Sequence, residues 1–272
     1  MDDQKSIINL YQNNNEKSKI ISKIIQKKFS EEGFEISLEH NPEAELNLCI
    51  GGDGAFLRAV HKSRYSPIPF VGINTGHLGF YQEILIPNID TFIQNFIHYN
   101  YDIEQLDLAE CCLYFTDGKE PVSHRALNEF AVKTTDNSII HLEVYIDGNH
   151  LQSFAGDALL ISTPSGSTAY NFSAGGSILY QSLKGFQLTP LAPLNSKAYR
   201  SLLNSIVLPS DAALRFKQGR EERNSKIDLL IDGVSVVYDN IDYLEFRASD
   251  TYINKIVFDK NWYWMNIKDK FL

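Results

Sequence analysis

A short turn in the first third of the chain combines backbone freedom with a single carboxylate. Its residues are Gly51, Gly52, Asp53 and Gly54. Glycines let a phosphate approach main-chain N–H groups, and a helix N-terminus favours negative charge. The pattern predicts a phosphate-binding turn with Asp53 beside the phosphates; the alternative is a tight turn in which Asp53 only caps the following helix. A P-loop or a dinucleotide fingerprint is disfavoured, because the turn lacks the Lys-Ser/Thr pair of the first and the glycine spacing of the second.

Two polar residues at the start of a later apolar strand suit a nucleoside. Asn128 offers both a donor and an acceptor, as the edge of a base requires, and the carboxylate of Glu129 can accept from sugar hydroxyls. Such a pair is also typical of an exposed strand end, and both interpretations stay open at this point.

A third stretch, residues 163–176, reads TPSGSTAYNFSAGG and carries no charge. Its hydroxyls and main-chain N–H groups can donate hydrogen bonds, and Tyr170 can stack on an adenine or close a pocket wall. Loops of this composition are often solvated turns. Apolar strands on both sides and the absence of charge favour a binding loop instead.

The glycine turn lies in a region where strand and helix patterns alternate. Apolar runs that indicate strands lie at residues 7–11, 34–38, 46–50 and 69–73. Apolar residues at helical spacing predict an amphipathic helix over residues 16–31. This alternation predicts an α/β domain with a parallel sheet at residues 1–105. The aromatic-rich C-terminal tail, residues 252–272, is expected to pack back on that domain and complete it.

Residues 106–251 consist of short runs of β-branched and aromatic residues separated by turns. Asp147-Gly148 and Asp232-Gly233 each separate two such runs, which is typical of two-residue hairpins. We therefore predict an all-β, sandwich-like C-terminal domain. Residues 165–203 are expected to be irregular, with short helical pieces.

The composition disfavours several classes of protein. Among 272 residues, 25 Lys and Arg against 34 Asp and Glu give a net charge of −9, so no nucleic-acid partner is expected. No apolar run approaches the roughly 20 residues that span a bilayer, and the first residues do not resemble a secretory signal. Cys49, Cys111 and Cys112 show neither zinc spacing nor a disulfide framework. We expect a cytoplasmic protein with no membrane partner, and the sequence assigns no metal-ligating residues.

Together and in this order, the three polar stretches resemble the NAD kinases. That family has a Gly-Gly-Asp-Gly turn, an Asn-Glu pair and a Thr-Pro-Ser/Thr-Gly-Ser-Thr-Ala-Tyr loop followed by Ser-Ala-Gly-Gly. Its Asn-x-Gly-x-Leu-Gly-Phe segment is matched at residues 74–80. The resemblance implies ATP-dependent phosphorylation of the 2′-hydroxyl of the adenosine ribose of NAD, giving NADP, in a two-domain fold with the substrate at the interface.

The resemblance also implies roles for individual residues. Asp53 resembles the proton acceptor at the 2′-hydroxyl, with Gly54 beside it, and Asn128 and Glu129 resemble contacts to the adenosine half. The loop residues that resemble the adenine pocket and its surroundings are Thr168, Ala169, Tyr170, Asn171, Phe172 and Ser173. Those that resemble the nicotinamide end are Asp157, Ala192 and Tyr199, the last as a residue that can close that end from a neighbouring subunit. The chain departs from the family pattern at Ala55, Ala155 and Ala158.

The resemblance further implies ATP as co-substrate, with polyphosphate as another donor, a divalent cation such as Mg²⁺, and a homo-oligomer, either a tetramer or a dimer. A lipid or diacylglycerol-type kinase shares the Gly-Gly-Asp-Gly turn but should also show a membrane-facing basic or apolar patch, which the net charge of −9 does not suggest. A non-catalytic dinucleotide-binding protein is the other alternative, and an assay of NADP formation distinguishes it from an enzyme.

Overall fold

The computed structural model describes residues 6–76, 79–195, 200–219 and 226–272. The chain divides into two compact units. Unit 1 comprises the chain up to Leu106 together with Tyr252–Leu272, and unit 2 comprises Asp107–Thr251. The chain passes from one unit to the other within two long strands, β6 (Asp102–Phe115) and β17 (Ile241–Val257).

Unit 1 is built on a parallel sheet in the order β2-β1-β3-β4, with β5 also parallel to β4. Its strands are β1 (Ile7–Gln12), β2 (Glu35–Ser37), β3 (Leu46–Gly51), β4 (Phe70–Asn74) and β5 (Ile84–Leu85). Its first three helices are α1 (Glu16–Glu31), α2 (Asp53–Lys62) and α3 (Ile89–Ile97), the last preceded by a 3-10 turn at Ile86–Asn88. The predicted α/β arrangement is confirmed.

Helix α1 begins where the sequence pattern places it. The side chain of Asn15 caps it by accepting from the Ser18 N–H at 2.7 Å. Its apolar stripe, represented by Ile25 and Phe29, is fully buried against the sheet. Strands β1, β3 and β4 end together at the carboxyl edge of this sheet, the edge at which open α/β sheets bind ligands.

The C-terminal tail belongs to unit 1, as predicted. The end of β17 pairs with β4 in parallel, with Lys255 opposite Phe70. Glu83 accepts hydrogen bonds from the Phe258 and Asp259 N–H groups at 2.8 and 2.5 Å, and its other oxygen lies 3.9 Å from Lys255 Nζ. The chain then forms its last helix, α5 (Trp262–Phe271).

Unit 2 consists of two β-layers around one core. One layer is an antiparallel sheet in the order β13-β12-β11-β8-β15-β16. The other contains β10, β9, β14 and the first part of β17, with β7 paired to β6. The remaining strands are β7 (Val122–Ala126), β8 (Glu129–Thr134), β9 (Ile140–Ile146), β10 (Asn149–Gly156), β11 (Ala158–Ser162), β12 (Gly185–Leu191), β13 (Ile206–Pro209), β14 (Leu214–Gln218), β15 (Ile227–Ile231) and β16 (Val234–Tyr238).

Buried phenylalanines from both layers meet in the core of unit 2. The ring centroid of Phe246 lies 5.6 Å from that of Phe130 and 5.1 Å from that of Phe216. Asp147-Gly148 and Asp232-Gly233 form the predicted hairpin turns, with positive φ at all four residues. The sandwich-like prediction is therefore confirmed.

One local prediction in unit 2 is wrong. The stretch expected to be irregular, residues 165–203, contains the buried strand β12 (Gly185–Leu191). Its sequence, GFQLTPL, begins with glycine and includes Pro190, both of which weaken a strand pattern. Pairing with β11 and β13 on both sides overrides that local signal.

Candidate active site

The glycine turn lies where β3 ends and α2 begins. A Cβ on Gly51 would lie 2.5 Å from the Cβ of Ala55, so only glycine fits there. The carbonyl of Gly51 accepts from the Thr75 N–H at 3.1 Å, and that of Gly52 accepts from Gln82 Nε2 at 3.0 Å. On the other side, no residue that the structure describes lies within 4 Å of the place a Gly52 Cβ would occupy. The turn is thus fixed against the sheet and open where a phosphate would approach the first N–H groups of α2.

Asp53, the first residue of α2, is held by main-chain donors. The Phe80 N–H donates to Oδ2 at 2.9 Å and the Tyr81 N–H donates to Oδ1 at 3.0 Å. A Cβ on Gly79 would lie 2.2 Å from Asp53 Oδ1, so the carboxylate can occupy this position only if residue 79 is glycine. The Asp53 side chain is still 28% exposed. It is therefore fixed in direction but accessible to a substrate.

A cation from the last helix lies beside this carboxylate. Lys270 Nζ is 3.8 Å from Asp53 Oδ2 and 4.6 Å from the centroid of the Phe80 ring. Helix α5 packs on the same ring through Phe271 and Tyr263, with centroid separations of 6.2 and 5.9 Å. Lys270 was not predicted as a site residue, because nothing in its local sequence pattern connects the tail to the glycine turn.

A second cation, also not predicted as a site residue, lies one turn into α2. A Cβ on Gly54 would be 3.5 Å from Arg58 Nη1, and Arg58 Nη2 donates to Asn13 Oδ1 at 3.3 Å. A cavity of about 280 Å³ extends along this face of α2, with Arg58 and Lys62 among its lining residues. The available signal is the spacing, since residues 54 and 58 share one face of a helix. Guanidinium groups are well suited to phosphate oxygens.

In unit 2, the main-chain N–H groups around the Asn-Glu pair are held by the carboxylate of Asp232, which is distant in the sequence. Asp232 accepts from the N–H groups of Leu127, Asn128 and Glu129 at 2.9, 2.7 and 3.2 Å. Asp232 also begins the β15–β16 turn, so one residue both shapes a hairpin and fixes the start of β8. Asn128 and Glu129 are each 7% exposed, which excludes the interpretation as an exposed strand end.

Burial strongly affects the carboxyl group of Glu129. Desolvation, with a smaller contribution from the negative charge of Asp232, raises the pKa of Glu129 to about 8, although a hydrogen bond from the Tyr170 main chain acts in the opposite direction. Within the described part of the chain, Glu129 Oε2 is buried with no hydrogen-bond partner. A buried oxygen of this kind is suited to accept from a ligand hydroxyl.

The hydroxyl-rich loop packs directly on the Asn-Glu pair. The Thr163 N–H donates to the Asn128 carbonyl at 2.9 Å, and Thr163 Oγ1 donates to the Leu127 carbonyl at 2.5 Å. A Cβ on Gly166 would lie 2.0 Å from the same Asn128 carbonyl oxygen, so the backbones approach as closely as glycine allows. The loop forms a 3-10 turn at Ser165–Thr168 and the short helix α4 at Tyr170–Ser173.

Residues of this loop divide into an internal and an external group. Asn171 is fully buried, donates to the Ser167 and Ser177 carbonyls, and accepts from Thr189 Oγ1 at 2.6 Å. Its amide is therefore used to hold the loop together. Tyr170 and Phe172 are 40% and 39% exposed. Ser173 is exposed, and Thr168 and Ala169 are half-buried.

A cavity of about 220 Å³ brings two predicted site residues together, Asp157 and Tyr170. Its other lining residues are Ala131, Lys133, Asn137, Ala158, Leu191 and Leu230. Ala192, at the end of β12, has a φ of +45° and is exposed next to Asp157, whose N–H donates to the Leu191 carbonyl at 3.0 Å. Lys133 was missed, although it alternates with Glu129 and Ala131 along β8 and so lies on their face.

Tyr199, the remaining predicted site residue, lies outside the described residues. In the ranges that the structure describes, no group of three or more His, Cys, Asp or Glu side chains could hold a metal ion. Over the same ranges, no helix has both the length and the apolar character needed to cross a bilayer.

Two family models match the chain. Residues 3–101 match the ATP-NAD kinase N-terminal domain, and residues 127–257 match the ATP-NAD kinase C-terminal domain. The glycine turn and Asp53 fall in the first match, whereas Glu129 and the hydroxyl-rich loop fall in the second. Matches to both domains identify a phosphotransferase that has an alcohol group as acceptor.

The chain belongs to the ATP-NAD kinase family, which confirms the resemblance in the motifs. A protein named NAD kinase from Finegoldia magna is 59% identical over 100% of both chains. Another from Staphylococcus carnosus is 36% identical over 84% of each. The fold is similar to yeast NADH kinase complexed with NADH, with a TM-score of 0.85, 19% identity and coverage of 98% of this chain and 88% of that one. An NAD kinase from Archaeoglobus fulgidus in complex with ATP gives a TM-score of 0.74, 21% identity and coverage of 97% and 98%.

Proposed function

We propose that this chain transfers the terminal phosphoryl group of ATP to the 2′-hydroxyl of the adenosine ribose of NAD, giving NADP and ADP. The observation that carries the proposal is Asp53, a carboxylate held by two main-chain N–H groups at the carboxyl edge of a parallel sheet. Family membership supports the reaction class. The ligands named for the two solved neighbours, NADH and ATP, are the same two kinds of substrate.

Asp53 would act as the proton acceptor during phosphoryl transfer. A carboxylate is too weak a base to deprotonate a ribose hydroxyl in advance, so it takes the proton as the bond to phosphorus forms and the hydroxyl becomes acidic. General bases typically contribute about 10²–10⁴-fold. The two main-chain donors from residues 80 and 81 leave the carboxylate few other orientations, and the acceptor hydroxyl would approach it in this one. The phosphates of the donor would bind to the glycine turn at residues 51–54, to the N-terminus of α2 and to Arg58.

The residues of unit 2 would bind the dinucleotide. Glu129 would accept from ribose hydroxyls through its unsatisfied Oε2, with Asn128 beside it on the adenosine half. Tyr170 would stack on adenine, and the loop residues that would surround the base are Thr168, Ala169, Phe172 and Ser173. Asn171 would contribute by holding this loop in shape. Asp157, Ala192 and Tyr199 would contact the nicotinamide end.

A divalent cation, such as Mg²⁺, would accompany ATP. Magnesium is usually held by substrate phosphates and waters with one or two carboxylates, and a dedicated cage of protein ligands is not needed. The described residues fit this mode, since the accessible Asp53 carboxylate follows directly on the glycine turn that would bind the phosphates. When bound, the ion would neutralise charge on the transferring phosphoryl group.

The proposal extends to the organisation of the protein. Residues 1–105 with 252–272 would form the domain of the glycine turn, and residues 106–251 the substrate-binding domain. The active protein would be a homo-oligomer, a tetramer or a dimer, in the cytoplasm. Polyphosphate would be an alternative phosphate donor.

A coupled assay of NADP formation tests the function directly. NAD and NADH would each be offered with ATP or polyphosphate, and the product would be examined by phosphorus NMR for a 2′-monophosphate. We expect a 2′-phosphorylated product that requires a divalent cation. Binding of NAD without any product would identify a non-catalytic dinucleotide-binding protein. Phosphorylation of diacylglycerol in mixed micelles, without NADP formation, would instead identify a lipid kinase.

A further inference from the structure

The last helix of the chain brings a positive charge to the proposed proton acceptor. Lys270 Nζ lies 3.8 Å from Asp53 Oδ2 and 4.6 Å above the Phe80 ring, while the Phe80 N–H donates to the same Asp53 oxygen. Tyr263 and Phe271 pack helix α5 on that ring. Two contacts, to Asp53 and to the Phe80 ring, thus place the ammonium group, and the packing of α5 on the same ring brings Lys270 there.

This position is within reach of the group that would be transferred. A hydroxyl that gives its proton to Asp53 lies about 3 Å from a carboxylate oxygen, and the attacked phosphorus lies about 3–3.5 Å beyond that hydroxyl. The transferring phosphoryl group and the Lys270 ammonium, which is 3.8 Å from Asp53 Oδ2, would thus both lie within a few ångströms of one carboxylate. The lysine side chain is flexible and carries three donors, so a change of rotamer covers the difference.

The ion pair between Lys270 and Asp53 would not prevent Lys270 from moving to the phosphoryl group. The side chains of Lys270 and Asp53 are 31% and 28% exposed, and pairs that are partly solvated contribute little to stability. The Phe80 ring would keep the ammonium at the site when it leaves the carboxylate, because a cation over an aromatic face is attracted independently of that carboxylate. The Lys270–Asp53 ion pair therefore contributes little to stability, and the ammonium group remains available to a phosphoryl group.

We propose that Lys270 is a catalytic residue that binds the transferring phosphoryl group of ATP. In this step, which rests on the proposed function, the ribose 2′-oxygen forms a bond to the γ-phosphorus and the bond from that phosphorus to the β–γ bridging oxygen breaks. The bridging oxygen keeps the electron pair as ADP leaves, and the 2′-hydroxyl proton passes to Asp53. Lys270 keeps its own protons and stabilises charge on the equatorial oxygens.

The test compares three variants of the full-length protein. Lys270→Gln removes the charge, Lys270→Arg retains it, and Lys268→Gln removes an exposed charge from the same helix as a matched control. We expect Lys270→Gln to lower kcat/KM for ATP by about 10–100-fold, as charge-assisted hydrogen bonds warrant, with KM for NAD within about twofold. Lys270→Arg should recover most of the loss, and the control should stay within about twofold of wild type.

Two further readouts distinguish this role from a purely structural one and from a failure of the proposed function. Both tryptophans, Trp262 and Trp264, lie on α5, so their fluorescence reports whether the helix stays in place. The proposal is overturned if Lys270→Gln lowers kcat/KM for ATP no more than Lys268→Gln does. It is also overturned if the loss of kcat/KM in Lys270→Gln is accompanied by the fluorescence change of an undocked helix. Phe271→Ala provides the reference for that change. Wild type that forms no NADP would refute the proposed function instead. In that case, the affinity for ATP would be measured by calorimetry for the two Gln variants. Weaker binding of ATP by Lys270→Gln than by Lys268→Gln would support the contact between Lys270 and ATP, and equal binding would overturn it.

Discussion

Replacing Glu129 with glutamine should remove a specific pH dependence from the stability of this protein. Burial raises the pKa of Glu129 to about 8, whereas an exposed glutamate in the unfolded chain titrates near its ordinary value of 4.5. Between these two values the folded protein keeps a proton that the unfolded chain has released. Stability therefore falls as pH rises through this window and levels off above the folded-state pKa.

The size of the effect follows from the same shift. Each pH unit inside the window costs about 1.4 kcal/mol, so wild type should lose roughly 2–3 kcal/mol relative to the Glu129→Gln variant between pH 6 and pH 8. For a protein of this size, 1 kcal/mol corresponds to about 2–4 °C in Tm. The difference in Tm between the two proteins should therefore change by about 5–10 °C over that interval. All other titrating groups are shared, so the difference isolates residue 129.

Scanning calorimetry of both proteins at pH 6, 7 and 8 measures this difference. Titration calorimetry with NAD in two buffers of different ionisation enthalpy adds a second readout: wild type should release up to one proton near pH 7, because ribose hydroxyls that donate to Glu129 favour its ionised form. The variant should release none from this position. Parallel Tm curves for the two proteins would refute the argument, because they would mean that burial does not keep Glu129 protonated.

Two further substitutions test the roles proposed for unit 1 and for unit 2. Gly79→Ala should lower kcat by about 100-fold, because the added methyl group displaces the Asp53 carboxylate. Its control is Gly76→Ala, where no described residue lies within 4 Å of the added methyl group, and kcat should change less than about twofold. Steady-state rates of NADP formation measure both effects. Tyr170→Ala should raise KM for NAD by about tenfold and KM for ATP by less than about twofold, with exposed Tyr180→Ala as the control. Equal increases for both substrates would exclude Tyr170 from the dinucleotide pocket.

Turns and helix ends that depend on a few consecutive residues could be predicted from the sequence. Asp147-Gly148 and Asp232-Gly233 form hairpins because a type of turn with positive φ at both residues suits those residue types. Helix α1 ends where expected because its apolar period stops and Gly33 follows with a φ of +88°. The glycine turn could be located at the end of β3 for the same kind of local reason.

Features that depend on distant residues could not be predicted from local patterns. The contact between Gly79 and Asp53 connects the Gly-Phe pair at residues 79–80 to the site, but it exists only once β4 lies beside β3. Asp232 was identified only as a turn residue, yet it fixes the Asn-Glu pair through three N–H groups. Lys270 reaches the site because the tail folds back on unit 1. Each of these contacts joins segments that are far apart in the sequence, and no local pattern indicates that they meet.

The role of Asp53 is tested most directly by Asp53→Asn, with turnover and NAD binding measured on the same preparation. The substitution keeps the size of the side chain but removes the proton acceptor and leaves one main-chain donor from residues 80 and 81 without its oxygen. We predict that kcat falls by at least about 100-fold while Kd for NAD stays within about threefold, and that Asp90→Asn on α3 changes neither. A variant that keeps kcat within about threefold of wild type would contradict the account.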